Sequence, residues 1–202
     1  MKRLKIIWNI DYFLEILQNL WIDLLTQRKF ATGWVKSIDG GEVINDTGST
    51  RYPVIKQIFF KHFTLKEKDV LVDVGCGRGR IFNYLLYKGM KNQMIGYEIN
   101  PVVGLETKKG LSKHKNVKII SENIFDSFPD DVNIFFLHDP FKGPMMEEFK
   151  ERIWEIRHNE PIILYLHPVQ LHSFDDDRFS YEKVEVTYLN WTYNLAIIKI
   201  AG

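Results

Sequence analysis

Five short apolar runs constrain the fold most: DVLVDV (69–74), QMIGYEI (93–99), NVKIISENI (116–124), VNIFFLHD (132–139) and PIILYLH (161–167). Most are separated by stretches with helical spacing, at 80–88, 101–113 and about 144–157, and Asn100 with Pro101 supplies a cap and first turn for the second of these. Continuously apolar strands alternating with helices imply a parallel sheet covered on both faces. Two further β-rich runs, 179–187 and 191–200, meet at YLNW, a junction too short for a crossover helix, so they should pair antiparallel. The expected class is α/β: a doubly wound, mostly parallel seven-stranded sheet whose last strand is antiparallel, preceded by an N-terminal helical extension.

Two parts are expected, an extension over 1–50 and a main domain over 51–202. The boundary is the polar stretch 33–50, centred on SIDGGEVINDTGST. After it, YPVIKQIFFKHF (52–63) resumes helical spacing, with Pro53 suited to a first turn. In the extension, Phe13, Leu17, Leu20 and Leu24, with Ile10, Leu14, Trp21 and Leu25, recur every three or four residues and form a broad apolar face. That face suits packing on the chain's own domain or on a second subunit in a homodimer. Lys2, Arg3 and Lys5 with Trp8 and Trp21 also suit a helix lying on anionic lipid, a peripheral membrane contact through residues 1–30. Asp11, Glu15 and Asp23 interrupt every apolar run short of the roughly 18 residues of a membrane span.

Lys and Arg number 27 against 26 Asp and Glu, so no global field holds a polyanion, and nucleic acid is not the expected partner. Only Arg78, Arg80, Lys108, Lys109, Lys113, Lys115 and Lys118 offer local positive charge. The single cysteine, Cys76, precludes an internal disulfide and fits a reducing, cytoplasmic address. No metal site is expected, because the acidic run 175–177 suits a solvated loop.

In an open parallel sheet, ligands sit beyond the carboxyl ends of the strands where the strand order reverses. The first strand runs into VDVGCGRGR, with Gly75, Gly77 and Gly79 spaced G-x-G-x-G. A dinucleotide turn wants a small residue at its sixth position, where this chain has Arg80, and Asp73 before the turn would repel a pyrophosphate. A cationic ligand gains from that carboxylate. S-adenosylmethionine carries an ammonium, a sulfonium and no phosphate, and backbone N–H groups of the turn, including that of Cys76, would suit its carboxylate. Glu98 closes the second strand, where an acid can accept ribose hydroxyls. Glu122 or Asn123 could read an adenine amino edge, with Ile99 and Ile124 on either side of the ring.

VDVGCGRGR, YEIN, SENIFD and FFLHDPF, in this order over 69–141, resemble the motifs of class I S-adenosylmethionine-dependent methyltransferases. The segment TGSTRYPVIKQIF before them is similar to a bacterial subgroup of that family. The resemblance implies that Asp73, Gly75, Gly77 and Gly79 hold the methionine end, Glu98 the ribose, and Glu122 and Asn123 the adenine. It implies methyl transfer, with a small-molecule or sugar-like acceptor expected. A protein or RNA acceptor, or a binding module without turnover, is the alternative. HDPF differs from the amino-methylating pattern, because nothing stands between Asp139 and Pro140. Asp139 could bind an amine or deprotonate a hydroxyl, and His138 could do the latter. Asp139 could equally cap the next helix. Pro140 and Phe141 are expected at the acceptor, and Tyr52 in a lid over the methyl end.

Overall fold

The computed structural model describes residues 2–31 and 49–201, so most of the polar loop expected over 33–50 lies outside the described residues. One seven-stranded sheet has the order β3-β2-β1-β4-β5-β7-β6. Its strands are β1 Val70–Val74, β2 Gln93–Tyr97, β3 Val117–Ile120, β4 Ile134–His138, β5 Ile162–Leu166, β6 Phe179–Tyr188 and β7 Trp191–Ile200. The first five are mutually parallel, and β7 runs antiparallel to both β5 and β6. The expected class and the hairpin are therefore observed. The strand order reverses between β1 and β4, which places the switch point at their carboxyl ends.

Alternation along each strand splits the core into two layers. Leu71, Ile134 and Phe136 face one side with residues from α2 (Tyr52–Gln57) and α3 (Arg80–Tyr87), while Val72, Val74, Phe135 and Leu137 face the other with Phe149 and Ile153 of α5 (Gly143–Glu155). Helix α4 (Pro101–Leu111) joins the first layer through Leu111. It starts as the sequence suggests, with Asn100 Oδ1 accepting from the N–H groups of Val102 at 3.1 Å and Val103 at 3.3 Å. The helix expected over 52–63 leaves α-geometry after Gln57, continues as a π-turn over Ile58–His62, and becomes extended at Phe63.

For the N-terminal helix α1 (Lys2–Gln27), one of the packings the sequence allows, apolar face on its own domain, is not observed. Its apolar face does not pack on the domain: Ile10, Phe13, Leu14, Leu17, Trp21 and Leu24 are exposed. The buried face carries Glu15, Asn19, Ile22, Asp23, Thr26 and Gln27. Polar bonds explain the inversion. Asp23, fully buried, accepts from the Tyr52 hydroxyl, from Asn83 Nδ2 at 3.1 Å and from the Ala31 amide at 2.9 Å. Gln27 Nε2 donates to Asn83 Oδ1 at 2.8 Å and to the Arg78 carbonyl at 2.7 Å, and Arg51 pairs with Glu15 at 3.1 Å. Buried carboxylates demand such partners, and α2, α3 and the glycine turn supply them. Among the described residues no helix is long and apolar enough to cross a membrane.

Candidate active site

The turn after β1 needs its glycines. Gly75, Gly77 and Gly79 have φ of 75°, 51° and 74°, in the left-handed region that costs side-chain-bearing residues most. The turn also consumes its own donors. The amides of Gly75 and Cys76 both donate to the Tyr97 carbonyl, at 2.9 and 2.8 Å, and that of Gly79 donates to the Cys76 carbonyl at 2.8 Å. The Gly77 amide donates to Glu98 Oε2 at 2.8 Å. The expectation that these amides face a ligand carboxylate is corrected for Gly75, Cys76, Gly77 and Gly79. Cys76 also turns its side chain inward, where it is buried, and burial pushes its thiol well above the ordinary range. Room for it exists because position 96 is glycine: a Cβ there would lie 2.7 Å from Cys76 Sγ.

Asp73 lies on the α3 side of β1, buried to 3% exposure, and no hydrogen-bond donor among the described residues reaches its carboxyl. Burial, reinforced by the Glu98 carboxylate, pushes its pKa well above the usual carboxylate range. Glu98 is equally buried and is held at both oxygens, Oε1 accepting from the Asn100 amide at 2.8 Å and Oε2 from Gly77. Burial raises its pKa too, against the pull of those two donors. Two buried acids thus stand together at the mouth of the turn, an arrangement that favours a cation.

Beside them is a cleft lined by Val74, Gly75, Tyr97, Ile99, Glu122, Asn123, Ile124, Pro140, Phe141 and Met145. Ile99, Glu122, Asn123 and Ile124 therefore meet, as the sequence reading requires, although Asn123 Oδ1 is engaged as the cap of the short 3-10 turn Ile124–Ser127, accepting from the Phe125 amide at 3.2 Å. Phe141 lines this cleft rather than an acceptor space. Its ring is buried against Phe125 and Phe149. Pro140 packs over Gly75, with its Cβ 3.4 Å from where a Gly75 Cβ would stand.

At the end of β4, His138 Nδ1 lies 2.9 Å from Thr50 Oγ1. Loss of solvent around the ring, with His167 nearby, holds its pKa at about 4, so the imidazole is neutral near pH 7 and a poor base. Asp139 Oδ1 accepts from the Tyr165 hydroxyl at 2.8 Å, and burial raises its pKa despite that bond. The capping role fails, because the N-cap position of α5 is Lys142. Asp139 and His167 both adopt positive φ, 46° and 55°, at the ends of adjacent strands, an uncommon backbone state that clusters at functional sites. Thr50 and Tyr165 were not legible as site residues, since Thr50 sits in a polar loop and Tyr165 within an apolar strand.

Tyr52 does not form a lid. It is 1% exposed, stacked on Tyr84 and lying beneath the Arg80 guanidinium at 4.0 Å, with its hydroxyl on Asp23. The acidic run is structural: Asp176 pairs with Arg178 at 2.9 Å and Lys150 at 3.0 Å, and Asp175 accepts from Tyr181. No group of metal-ligating side chains occurs among the described residues.

Solved structures share this fold. A methyltransferase from Pyrococcus furiosus covers 95% of this chain and 98% of its own at 15% identity and a TM-score of 0.58. An RNA methyltransferase from Salinibacter ruber, solved with S-adenosyl-L-homocysteine, covers 76% and 94% at 17% identity and a TM-score of 0.53. The chain has the class I methyltransferase fold. The 23S rRNA methyltransferase ErmE is a further structural relative, at 13% identity, 76% and 69% coverage and a TM-score of 0.54. No protein-family model and no curated protein sequence matches the chain. Within the methyltransferase fold, the two acids, the cleft and Asp139 all sit at the carboxyl ends of β1 to β4, around the switch point.

Proposed function

We propose that the chain transfers a methyl group from S-adenosylmethionine to an acceptor presented at the end of β4. The observation that carries this reading is the buried Asp73 carboxyl, without a hydrogen-bond donor among the described residues, beside Glu98 and the glycine turn. Those residues fit a cationic amino-acid tail, and the apolar walls Ile99, Ile124 and Phe141 fit an adenine ring between the polar edges of Glu122 and Asn123. Bound there, the cofactor supplies a methyl group on a sulfonium that is already a good leaving group. Positioning is then the main work of the protein. Asp139, fixed by Tyr165, orients the acceptor by taking its hydrogen bond and receives a proton where the acceptor must lose one. His138, neutral and bonded to Thr50, shapes the same wall without serving as the base.

The acceptor reading moves from a small molecule to RNA. Two of the three structural relatives above are named as RNA methyltransferases. A groove lined by Lys108, Ser112, Lys118, Ser121 and Ser127 also shares Glu122 with the cofactor cleft. Two lysines and the hydroxyls of Ser112 and Ser127 suit a phosphate backbone that the near-zero net charge does not advertise. The test is transfer of tritiated methyl groups from S-adenosylmethionine into a total cell extract, before and after ribonuclease. Label that disappears with the RNA supports the reading. Label in the small-molecule fraction restores the first expectation, and calorimetry showing binding of NAD but not of S-adenosylmethionine overturns the methyltransferase reading itself.

A further inference from the structure

We infer that the outward face of α1 docks on an anionic lipid surface. The helix is 26 residues long, about 39 Å, and polar bonds fix which side meets the domain. On the other side Ile10, Phe13, Leu14, Leu17, Trp21 and Leu24 form one exposed stripe, with Phe13 and Trp21 58% and 59% exposed. An apolar strip this long is not the ordinary scatter of exposed leucines, and it marks a surface that something covers.

Charge selects the occupant. Lys2, Arg3 and Lys5 lie on the first turns of the helix, and Arg28 and Lys29 follow its last turn. The acidic side chains Glu15 and Asp23 are turned into the domain and bonded to Arg51 and Tyr52. The stripe is thus apolar along its length and basic beyond both ends. A second copy of the chain would set basic ends against basic ends in either the parallel or the antiparallel pairing, with no acid among the described side chains of the stripe to offset them. An anionic headgroup layer supplies counter-charge at both ends, adding at the C-terminal end to the Glu106 carboxylate that pairs with Lys29 at 3.5 Å, while taking the apolar stripe below it. Trp21, exposed on the stripe, is an amphipathic ring suited to that boundary.

The test is flotation of the full chain with vesicles of phosphatidylcholine alone and of phosphatidylcholine mixed with phosphatidylglycerol. The chain is expected to float with the mixed vesicles and not with the neutral ones, and raised salt should weaken recovery. The double variant Leu17→Glu with Trp21→Glu should lower vesicle partition by about tenfold or more at an unchanged melting temperature, because both side chains are solvent-exposed. Replacing Lys2, Arg3 and Lys5 by alanine should weaken binding to mixed vesicles by a similar factor without touching the stripe. Equal recovery from both vesicle types overturns the proposal. So does a chain that stays unbound, whether it sediments as a dimer that the double variant dissociates, making the occupant a second copy, or as a monomer.

Discussion

Tyr165 on β5 donates its hydroxyl hydrogen to Asp139 at the end of β4 across 2.8 Å, and the same hydroxyl accepts from the Gln170 amide at 3.2 Å. Asp139 is thereby held in a backbone state that few aspartates adopt. With the proposed acceptor, Asp139→Asn is expected to leave cofactor affinity near the parent value and to cut kcat by about 10²–10⁴. Tyr165→Phe, which removes that bond but keeps the carboxylate, should lower kcat less. Single-turnover methyl transfer measures both, and near-parent turnover by Asp139→Asn removes Asp139 from the chemistry.

Glu98 has two tasks. It closes the turn through Gly77 and Asn100, and in the proposed site it is the acid that would accept the ribose hydroxyls. Glu98→Ala should therefore weaken S-adenosylmethionine binding about tenfold or more, charge-assisted bonds being worth about 1.5–3 kcal/mol. It should also lower the melting temperature of the ligand-free protein, because two backbone donors lose their partner. Calorimetry and thermal unfolding separate the two effects. Unchanged affinity with reduced stability would leave Glu98 a structural acid only.

Tyr52 tests the reading of the N-terminal region. Its hydroxyl bonds Asp23 and accepts from Asn83, deep in the interface of α1 with α3. Tyr52→Phe is expected to cost about 1–3 kcal/mol in denaturant unfolding, because the buried Asp23 carboxylate loses one of its three donors and keeps only Asn83 and the Ala31 amide, with kcat unchanged. A large loss of kcat at parent stability would return Tyr52 to the acceptor site.

Acid titration distinguishes Asp73 from His138. The folded protein raises the pKa of Asp73 above its ordinary 3.8, so this group favours the ligand-free fold most below that value and loses the contribution as pH rises through the raised one. A cationic cofactor requires the ionised form, so affinity should climb with pH across the same interval, and Asp73→Asn should flatten the dependence. His138 has the opposite sense. Its pKa falls from 6.5 to about 4, so its contribution to stability is complete above 6.5 and is lost as pH falls from there toward 4. His138→Gln should remove that part of the acid loss in equilibrium unfolding.

The sheet was legible because its signals are local: apolar runs of strand length, the Asn100–Pro101 start, and a connection too short for a crossover. The glycine turn was legible for the same reason. What the sequence hid depends on partners far along the chain. Helical spacing locates the apolar face of α1 but not the side that docks, which was decided by Asp23 meeting Tyr52 and Asn83. Cys76 turns inward because Gly96, on the neighbouring strand, leaves it space. Asp139 looked as fit for a helix cap as for an acceptor site until Lys142 took the cap position and Tyr165 bonded it from β5.

The placement of β7 between β5 and β6 bears on the order of assembly. Among the described residues β6 pairs with no strand except β7, and a hydrogen bond from Gln57 Nε2 to the Thr187 carbonyl ties it to α2. As the chain is synthesised, β6 therefore emerges with no ladder to join, and β5 keeps an open edge until β7 arrives. The two late strands must zip into a ribbon and dock together, which makes that edge the last part of the sheet to close and the first exposed to mispairing when folding stalls.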